Sequence, residues 1–361
     1  MAHPEGPAAA AAAVIDPLLG HPLGDLGMVR GYERRRLGSD RLTIDLPVPQ
    51  YPSTAELEVR LARALETVGA SAEITMDVMT DDQRAQLMTG LREAAGPRVG
   101  EPGSRTRVVA VASGKGGVGK SSVTTNLAVA LARAGNRVGV IDADIWGFSI
   151  PRMLGVDHPP VVIDQSIIPP VASGVKAMSM DYFVPDDRAV IWRGPMLHKA
   201  IEQFLQDVFW DAPDFLVVDM PPGTGDIAIS MSQFLPRAQV LLVTTPQSTA
   251  QRVARRAALM AQEVDQELMG VVENMSWFTG DDGTRYRLFG EGGGRALSDE
   301  LGVPLMTQIP LLPAMRQGAD EGRPVFDSAP DSEAAASFEQ LAQAVVERRP
   351  RVRTHPDLII K

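Results

Sequence analysis

Residues 107–126 read RVVAVASGKGGVGKSSVTTN, and this stretch decides the fold. The apolar run from Val108 to Ala112 fits a buried strand, and the residues after Lys120 fit a helix. Between them, Gly114-Lys115-Gly116-Gly117-Val118-Gly119-Lys120-Ser121 satisfies G-x-x-x-x-G-K-[ST], the phosphate-binding loop. Its glycines let the backbone turn tightly and point successive N–H groups inward, where a β-carbon would obstruct. The helix that starts near Ser121 adds its positive end, so the loop attracts a polyphosphate before any side chain acts. Lys120 is expected to reach the β- and γ-phosphates, and the Ser121 hydroxyl to ligate Mg²⁺. Loop contacts to ATP are expected from Gly114 through Ser121 and on to Ser122.

Downstream of this loop, strand and helix patterns alternate. Strands are expected at Arg137–Asp142, Val175–Met180, Phe215–Met220, Val240–Thr245, Gly270–Glu273 and Leu305–Ile309. Helices are expected near 121–134, 196–209, 249–263, 291–301 and 312–320, with a last one near 333–348. Such alternation implies an α/β fold with a doubly wound, mostly parallel sheet and ligands at the carboxyl ends of its strands. Upstream, 14–92 suits a small α+β domain, with strands at Leu26–Tyr32, Arg41–Leu46 and Ala72–Met79 and helices at Ala55–Val68 and Asp81–Leu91. Residues 93–106, rich in Pro and Gly, read as a linker, which leaves 107–348 for the nucleotide domain. The alanine-rich residues 1–13 and the polar residues 349–361 read as tails, the first disordered.

Composition excludes several classes of function. The net charge of −10 gives no overall basic field for nucleic acid, so that partner is not expected. No stretch has the length and apolarity of a membrane span, and the start lacks the basic region of a signal peptide, so the cytoplasm is expected and a membrane is not. The chain has no cysteine, hence no disulfide and no thiolate ligand. Its five histidines, His3, His21, His158, His198 and His355, lack metal-site spacing.

Three strand ends should converge on the loop. Val140-Ile141-Asp142-Ala143-Asp144 closes the strand after the first helix, and its two aspartates alternate in direction. One of them could support Mg²⁺ while the other orients an attacking water. Leu216-Val217-Val218-Asp219 is an apolar strand ending in an acid, the Walker B pattern, so Asp219 is expected to hold Mg²⁺ through water. The loop Pro221-Pro222-Gly223-Thr224-Gly225-Asp226 follows it and is expected close to the γ-phosphate. Val271-Val272-Glu273-Asn274 ends a later strand, where Asn274 could hydrogen-bond the adenine edge. None of these groups resembles a strong general base, which suits phosphoryl transfer by positioning and charge neutralisation. A hydrolysis cycle used as a conformational switch fits such parts.

Lys115, directly after the first glycine, gives the GKGGVGKS form, which resembles the deviant Walker A loop of the dimeric ATPases that include the MinD, ParA, Get and nitrogenase-iron-protein families. VVAVASGKGGVGKSSVTTNLA (108–128), DADIWGFSIPRMLG (142–155), WRGPMLHKAIEQFLQDVFW (192–210), VVDMPPGTGDIAISMSQ (217–233), VVENMS (271–276), FGEGGG (289–294) and IPLLPAMRQGADEGRPV (309–325) make the resemblance more specific. The chain is similar to the Mrp/ApbC-type P-loop ATPases, the family of iron–sulfur cluster carrier proteins. VIDPLLGHPLGDLGMV and DVMTDDQR resemble the small domain that precedes the ATPase in bacterial members. The resemblance implies a homodimer with ATP between the subunits, Lys115 reaching across, Asp144 orienting the water, Asp219 supporting Mg²⁺, and iron–sulfur apoproteins or scaffolds as partners. It also implies an iron–sulfur cluster as cargo, held in many members by a Cys-x-x-Cys pair after VVENMS. Here that place reads Trp277-Phe278-Thr279-Gly280-Asp281-Asp282-Gly283, and Tyr51 stands near the place of the small domain's cysteine. Without thiolates the chain cannot hold a cluster in the family's usual way, and Asp281 and Asp282 are hard donors that suit it poorly. A second reading is a ParA- or MinD-like positioning ATPase that binds DNA or membrane in its ATP state. Arg252, Arg255 and Arg256, on one helix face, are its candidate phosphate contacts.

Overall fold

The computed structural model describes residues 6–144, 147–183, 194–223 and 226–350. They form two compact units. The first gathers the described residues up to Gly96 with Asp157–Val171 and Asp207–Asp211; the second gathers Pro97–Val156, Ala172–Gln206 and the described residues from Ala212 onward.

The first unit opens with α1 (Pro7–Ala12), β1 (Val29–Glu33), β2 (Asp40–Leu46), α2 (Thr54–Thr67), β3 (Ala72–Val78) and α3 (Asp81–Ala95). The alanine run expected to be disordered is therefore helical over residues 7–12, with Ala10 and Ala11 buried. Alanine loses no side-chain entropy in a helix, and Pro7 occupies the first position, where its missing N–H costs nothing. Residues 1–5 of that tail lie outside the described residues. The apolar stripe Leu57, Leu61 and Leu65 buries one face of α2 against Leu42 and Ile44 of β2 and Met88 of α3. Thr80 starts α3 with a capping box: its hydroxyl accepts from the Gln83 N–H at 3.3 Å, and the Gln83 side chain accepts from the Thr80 N–H at 2.8 Å.

The second unit begins with β4 (Arg107–Ser113), α4 (Lys120–Arg133), β5 (Val138–Asp142) and α5 (Ile150–Leu154). The hairpin β6 (Val161–Ile163) and β7 (Ser166–Ile168) belongs to the first unit, and β8 (Val171–Ala172) follows. The second unit resumes with β9 (Val175–Ser179), α6 (Gly194–Gln206), β10 (Phe215–Asp219), α7 (Asp226–Phe234), β11 (Gln239–Thr244) and α8 (Ser248–Glu263). It ends with β12 (Glu267–Glu273), β13 (Phe278–Thr279), β14 (Arg285–Tyr286), α9 (Gly293–Leu301), β15 (Leu305–Gln308), α10 (Pro313–Asp320), α11 (Val325–Ser328) and α12 (Glu333–Glu347).

Eight strands form one sheet in the order β15-β12-β11-β4-β10-β5-β9-β8, and the pairs from β15 to β9 are all parallel. Alternate residues of these strands, among them Val109, Val111, Val140, Val217, Leu241 and Val243, share a core with Val123 and Leu127 of α4 and Phe338, Leu341 and Val345 of α12. The intervening residues Ala110, Ile141, Leu216, Val218 and Leu242 are buried as well, so both faces of the sheet are covered, as a parallel sheet requires. The expected doubly wound sheet is present. No helix among the described residues is long and apolar enough to cross a membrane. The motif WRGPM is described only at Gly194, Pro195 and Met196, Ile145 and Trp146 of DADIWGFSIPRMLG and Thr224 and Gly225 of the PPGTGD loop lie outside the described residues, and so do residues 351–361 of the polar tail.

Candidate functional site

The site is built where β4, β5 and β10 end side by side. In register, Asp219 of β10 lies opposite Asp142 of β5 on one side and Val111 of β4 on the other. Adjacent parallel strands sit about 4.8 Å apart, so the two strand-end aspartates are held as neighbours by the sheet itself. The loop from Gly114 to Gly119 rises from β4 and enters α4 at Lys120. Gly117 and Gly119 have φ of 78° and 80°, which only glycine adopts without strain. Gly114 is required for a different reason: a β-carbon there would stand 2.1 Å from the Val253 carbonyl carbon of α8. The loop's shape is thus set by backbone clearance, as its sequence implies. Val118 is buried beneath it, while Gly116 and Gly117 are exposed.

Lys120 and the carboxylates form one network. The Lys120 ammonium donates to Asp219 Oδ2 at 2.7 Å and lies 3.3 Å from Asp144 Oδ2. Ser121 donates its hydroxyl to the same Asp219 oxygen at 2.6 Å, and Thr124 donates to Asp219 Oδ1 at 2.6 Å. Burial pushes the Asp219 carboxyl above its usual range, and Lys120, Ser121 and Thr124 oppose that shift. Asp142 is also fully buried. Its carboxyl is pushed up to about 7, first by burial and then by the charge of Asp219.

Asp142, expected to support Mg²⁺, is held here by main-chain donors. Its Oδ2 accepts from the backbone N–H groups of Ser149 and Ile150 at 3.0 and 3.1 Å, and its Oδ1 from the N–H of Asp144 at 3.2 Å. Both oxygens are thus engaged by the turn that leads into α5, the work of a short acceptor side chain at a helix start. Asp144, the other aspartate of that pair, is the one brought to Lys120.

Asn274 is 1% exposed and packs against Gly119, where a β-carbon would fall 2.2 Å from its Nδ2. That Nδ2 donates to the Val118 carbonyl at 2.9 Å, so the end of β12 braces the loop from the side. Among the described residues its Oδ1 is buried without a hydrogen-bond partner, as is the hydroxyl oxygen of Thr245 just after β11. Lys115 donates to Gln247 Oε1 at 3.2 Å, just before α8. Ser122 accepts from Asn126 Nδ2 through its carbonyl at 2.8 Å. The stretch after Asp219 begins close by: the Gly223 N–H donates to the Ser113 carbonyl at 3.0 Å. Thr124 and Gln247 escape the motif because their contacts span 95 and 132 residues. For Thr124 a signal existed, since it stands one helical turn after Lys120 and therefore shares its side of α4.

The other motif residues serve packing. Gly293 and Gly294 of FGEGGG let α9 approach Pro246 and Glu273, because a β-carbon on either glycine would come within 2.4 and 2.6 Å, respectively, of those residues. Glu273 gathers the Gly294 N–H, the Ser276 hydroxyl and Gln308 Nε2 at 2.5, 2.9 and 2.6 Å. The segment from Trp277 to Gly283 enters the hairpin β13–β14. Asp282 accepts from the Thr284 N–H and hydroxyl at 2.9 and 2.7 Å, which holds its carboxyl below the usual range. Tyr51 is buried in the first unit and donates to Asp16 at 2.6 Å. Among the described residues no group of three or more His, Cys, Asp or Glu is disposed to hold a metal ion. On α8, Arg252, Arg255 and Arg256 are exposed, and Arg255 pairs with Glu300 at 2.8 Å.

A family model described as ParA, NUBPL iron-transfer P-loop NTPase, matches residues 104–346. The chain belongs to this family. An iron–sulfur cluster carrier protein of Mycobacterium leprae (strain TN) is 45% identical over 354 residues, spanning 95% of this chain and 92% of its own. Among solved structures, a nucleotide-binding protein of Archaeoglobus fulgidus in complex with ADP is 33% identical with a TM-score of 0.55, covering 64% of this chain and 91% of that one. The septum site-determining protein MinD of Pyrococcus horikoshii OT3, complexed with Mg-ADP, is 25% identical with a TM-score of 0.52 over 67% of this chain and 96% of its own. The site described above lies within the residues that the family model matches.

Proposed function

We propose that this NTPase hydrolyses ATP slowly in a Mg²⁺-dependent cycle, as a cytoplasmic homodimer, and that the cycle serves an iron–sulfur cluster held by a partner. The observation that carries the reading is Lys120 bridging Asp219 and Asp144 at the mouth of a formed phosphate loop. Lys120 leaves these carboxylates for the β- and γ-phosphates, and the loop N–H groups from Gly114 through Ser122 complete the cradle. Ser121 and Asp219 suit Mg²⁺: a hydroxyl and a carboxylate oxygen, both hard donors, already stand 2.6 Å apart. When bound there, Mg²⁺ neutralises charge on the phosphates. Asp144 orients the attacking water, and Asp142 holds the turn that carries Asp144. The unpartnered Oδ1 of Asn274 suits the amino group of adenine. Lys115, held by Gln247 in the single chain, serves the nucleotide of the other subunit.

Iron–sulfur chemistry enters as cargo. Thiolates are absent from the whole sequence, and the two places where they were expected hold a closed hairpin and a buried tyrosine. On this reading the thiolate ligands come from a partner protein. The test is anaerobic reconstitution of the purified chain with iron and sulfide, read alongside phosphate release across a Mg²⁺ titration. Mg²⁺-dependent turnover without retained iron is expected. A stoichiometric, transferable cluster on the chain alone would refute the partner-held reading, and absence of turnover at every Mg²⁺ concentration would refute the ATPase cycle.

A further inference from the structure

The large sheet ends in an edge that the nucleotide site does not use. β15 pairs with β12 on one side and is the terminal strand on the other. A groove of about 440 Å³ runs along it and touches all four of its residues. An unpaired edge presents a row of main-chain donors and acceptors, which proteins usually blunt with lysine, proline or a covering element. Leu305-Met306-Thr307-Gln308 has none of these side chains.

The walls leave room for one more strand. Gln340 stands three and four residues after Ser337 and Ala336 on α12, and the three line the groove together. Two of the three are small, and an added strand needs about 4.8 Å of lateral space. Arg285, Arg295 and Glu333 are the charged residues of its lining. Arg285 lies 4.7 Å above the Trp277 ring and is fixed there by Glu333 at 2.5 Å, so its charge is matched. Arg295 is exposed and, among the described residues, has no hydrogen bond or ion pair. Among the described residues, one cation therefore remains uncompensated beside a strand edge that no further strand pairs.

We propose that β15 is a docking edge for an extended acidic segment of a partner protein, which adds as a further strand and sets a carboxylate on Arg295. Main-chain hydrogen bonds hold such a segment, and the α12 wall and Arg295 select it. The four residues of β15 offer about 13 Å of edge, enough for a short linear motif.

Ala336 and Arg295 are both exposed and lie outside the nucleotide site, so Ala336→Trp blocks the groove and Arg295→Glu reverses its charge without touching the loop. A phage-displayed random heptapeptide library is selected on the full chain, and recovered peptides are measured by fluorescence anisotropy on wild type and both variants. ATP turnover serves as the check that each variant is folded. Acidic peptides that bind at least ten-fold more weakly to Arg295→Glu and are lost on Ala336→Trp are expected. Failure to recover peptides, peptides indifferent to Ala336→Trp, or basic peptides lost on Ala336→Trp would each overturn the proposal. A drop in the sedimentation coefficient of Ala336→Trp would assign the groove to a second copy of the chain and overturn it too.

Discussion

Thr124→Val isolates a contact that the phosphate-loop motif does not mention. Threonine and valine have nearly the same shape, so the substitution leaves no cavity in a site where Thr124 is fully buried. It removes the 2.6 Å hydrogen bond to Asp219 Oδ1, which has no other donor among the described residues, since Lys120 and Ser121 both act on Oδ2. A hydrogen bond to a charged, buried acceptor contributes about 2 kcal/mol, and the oxygen left bare loses that in full. For a nucleotide unit of this size the transition midpoint should fall by about 4–8 °C. The carboxylate should also become harder to ionise, because one of the donors opposing its burial is gone, so the Mg²⁺ concentration for half-maximal ATP turnover should rise. Thr124→Ser keeps the donor and should restore most of both. Thermal unfolding by circular dichroism and phosphate release across a Mg²⁺ titration read the two effects. A Thr124→Val protein within 1 °C of wild type at an unchanged Mg²⁺ midpoint would show that the Thr124 hydroxyl does not support Asp219.

Gly114→Ala must drive a methyl into the backbone of α8 and should cost about 3 kcal/mol or more, whereas Gly116→Ala meets open space at an ordinary φ and should leave the melting temperature nearly unchanged. Lys120→Ala should reduce ATP turnover at least 100-fold, measured as phosphate release, because the ammonium proposed to move onto the β- and γ-phosphates is lost. Asp142 binds its proton more tightly when folded than unfolded. Ligand-free stability should therefore fall as pH rises from about 4 to 7, by at most roughly 4 kcal/mol. Asp142→Asn should flatten that slope in urea titrations at stepped pH, and an identical slope would exclude Asp142 as its source. Lys115→Ala should retain nucleotide binding by calorimetry while turnover falls about ten-fold; unchanged turnover would remove it from the reaction.

The parts of this fold that are legible in the sequence are those governed by local rules. Strand, glycine loop and helix follow one another within residues 107–126, and both strand-end acids close apolar runs, so Lys120, Asp144 and Asp219 can be placed together from the motifs alone. The hydrogen bonds of Asp142 to the Ser149 and Ile150 N–H groups are not legible in the sequence, because they lie at the start of a five-residue helix too short to show periodicity. The hairpin β6–β7 is invisible for the same reason: strands of three residues carry no alternation to count. Its membership in the first unit, along with Asp207–Asp211, depends on contacts far apart in sequence. α1 reads as a tail from composition, although its alanines favour a helix once Ala11 has a core to join.

The end of β12 carries loads in two directions. Asn274 clasps the phosphate loop at Val118, while Glu273, one peptide bond earlier, ties down α9 through Gly294 and the last residue of β15 through Gln308. Only one planar peptide unit separates the two side chains, so the phosphate loop and the sheet border are tied to adjacent residues. On the adenine contact proposed for Asn274, nucleotide would bear on the same two residues from which the far border of the sheet is tied.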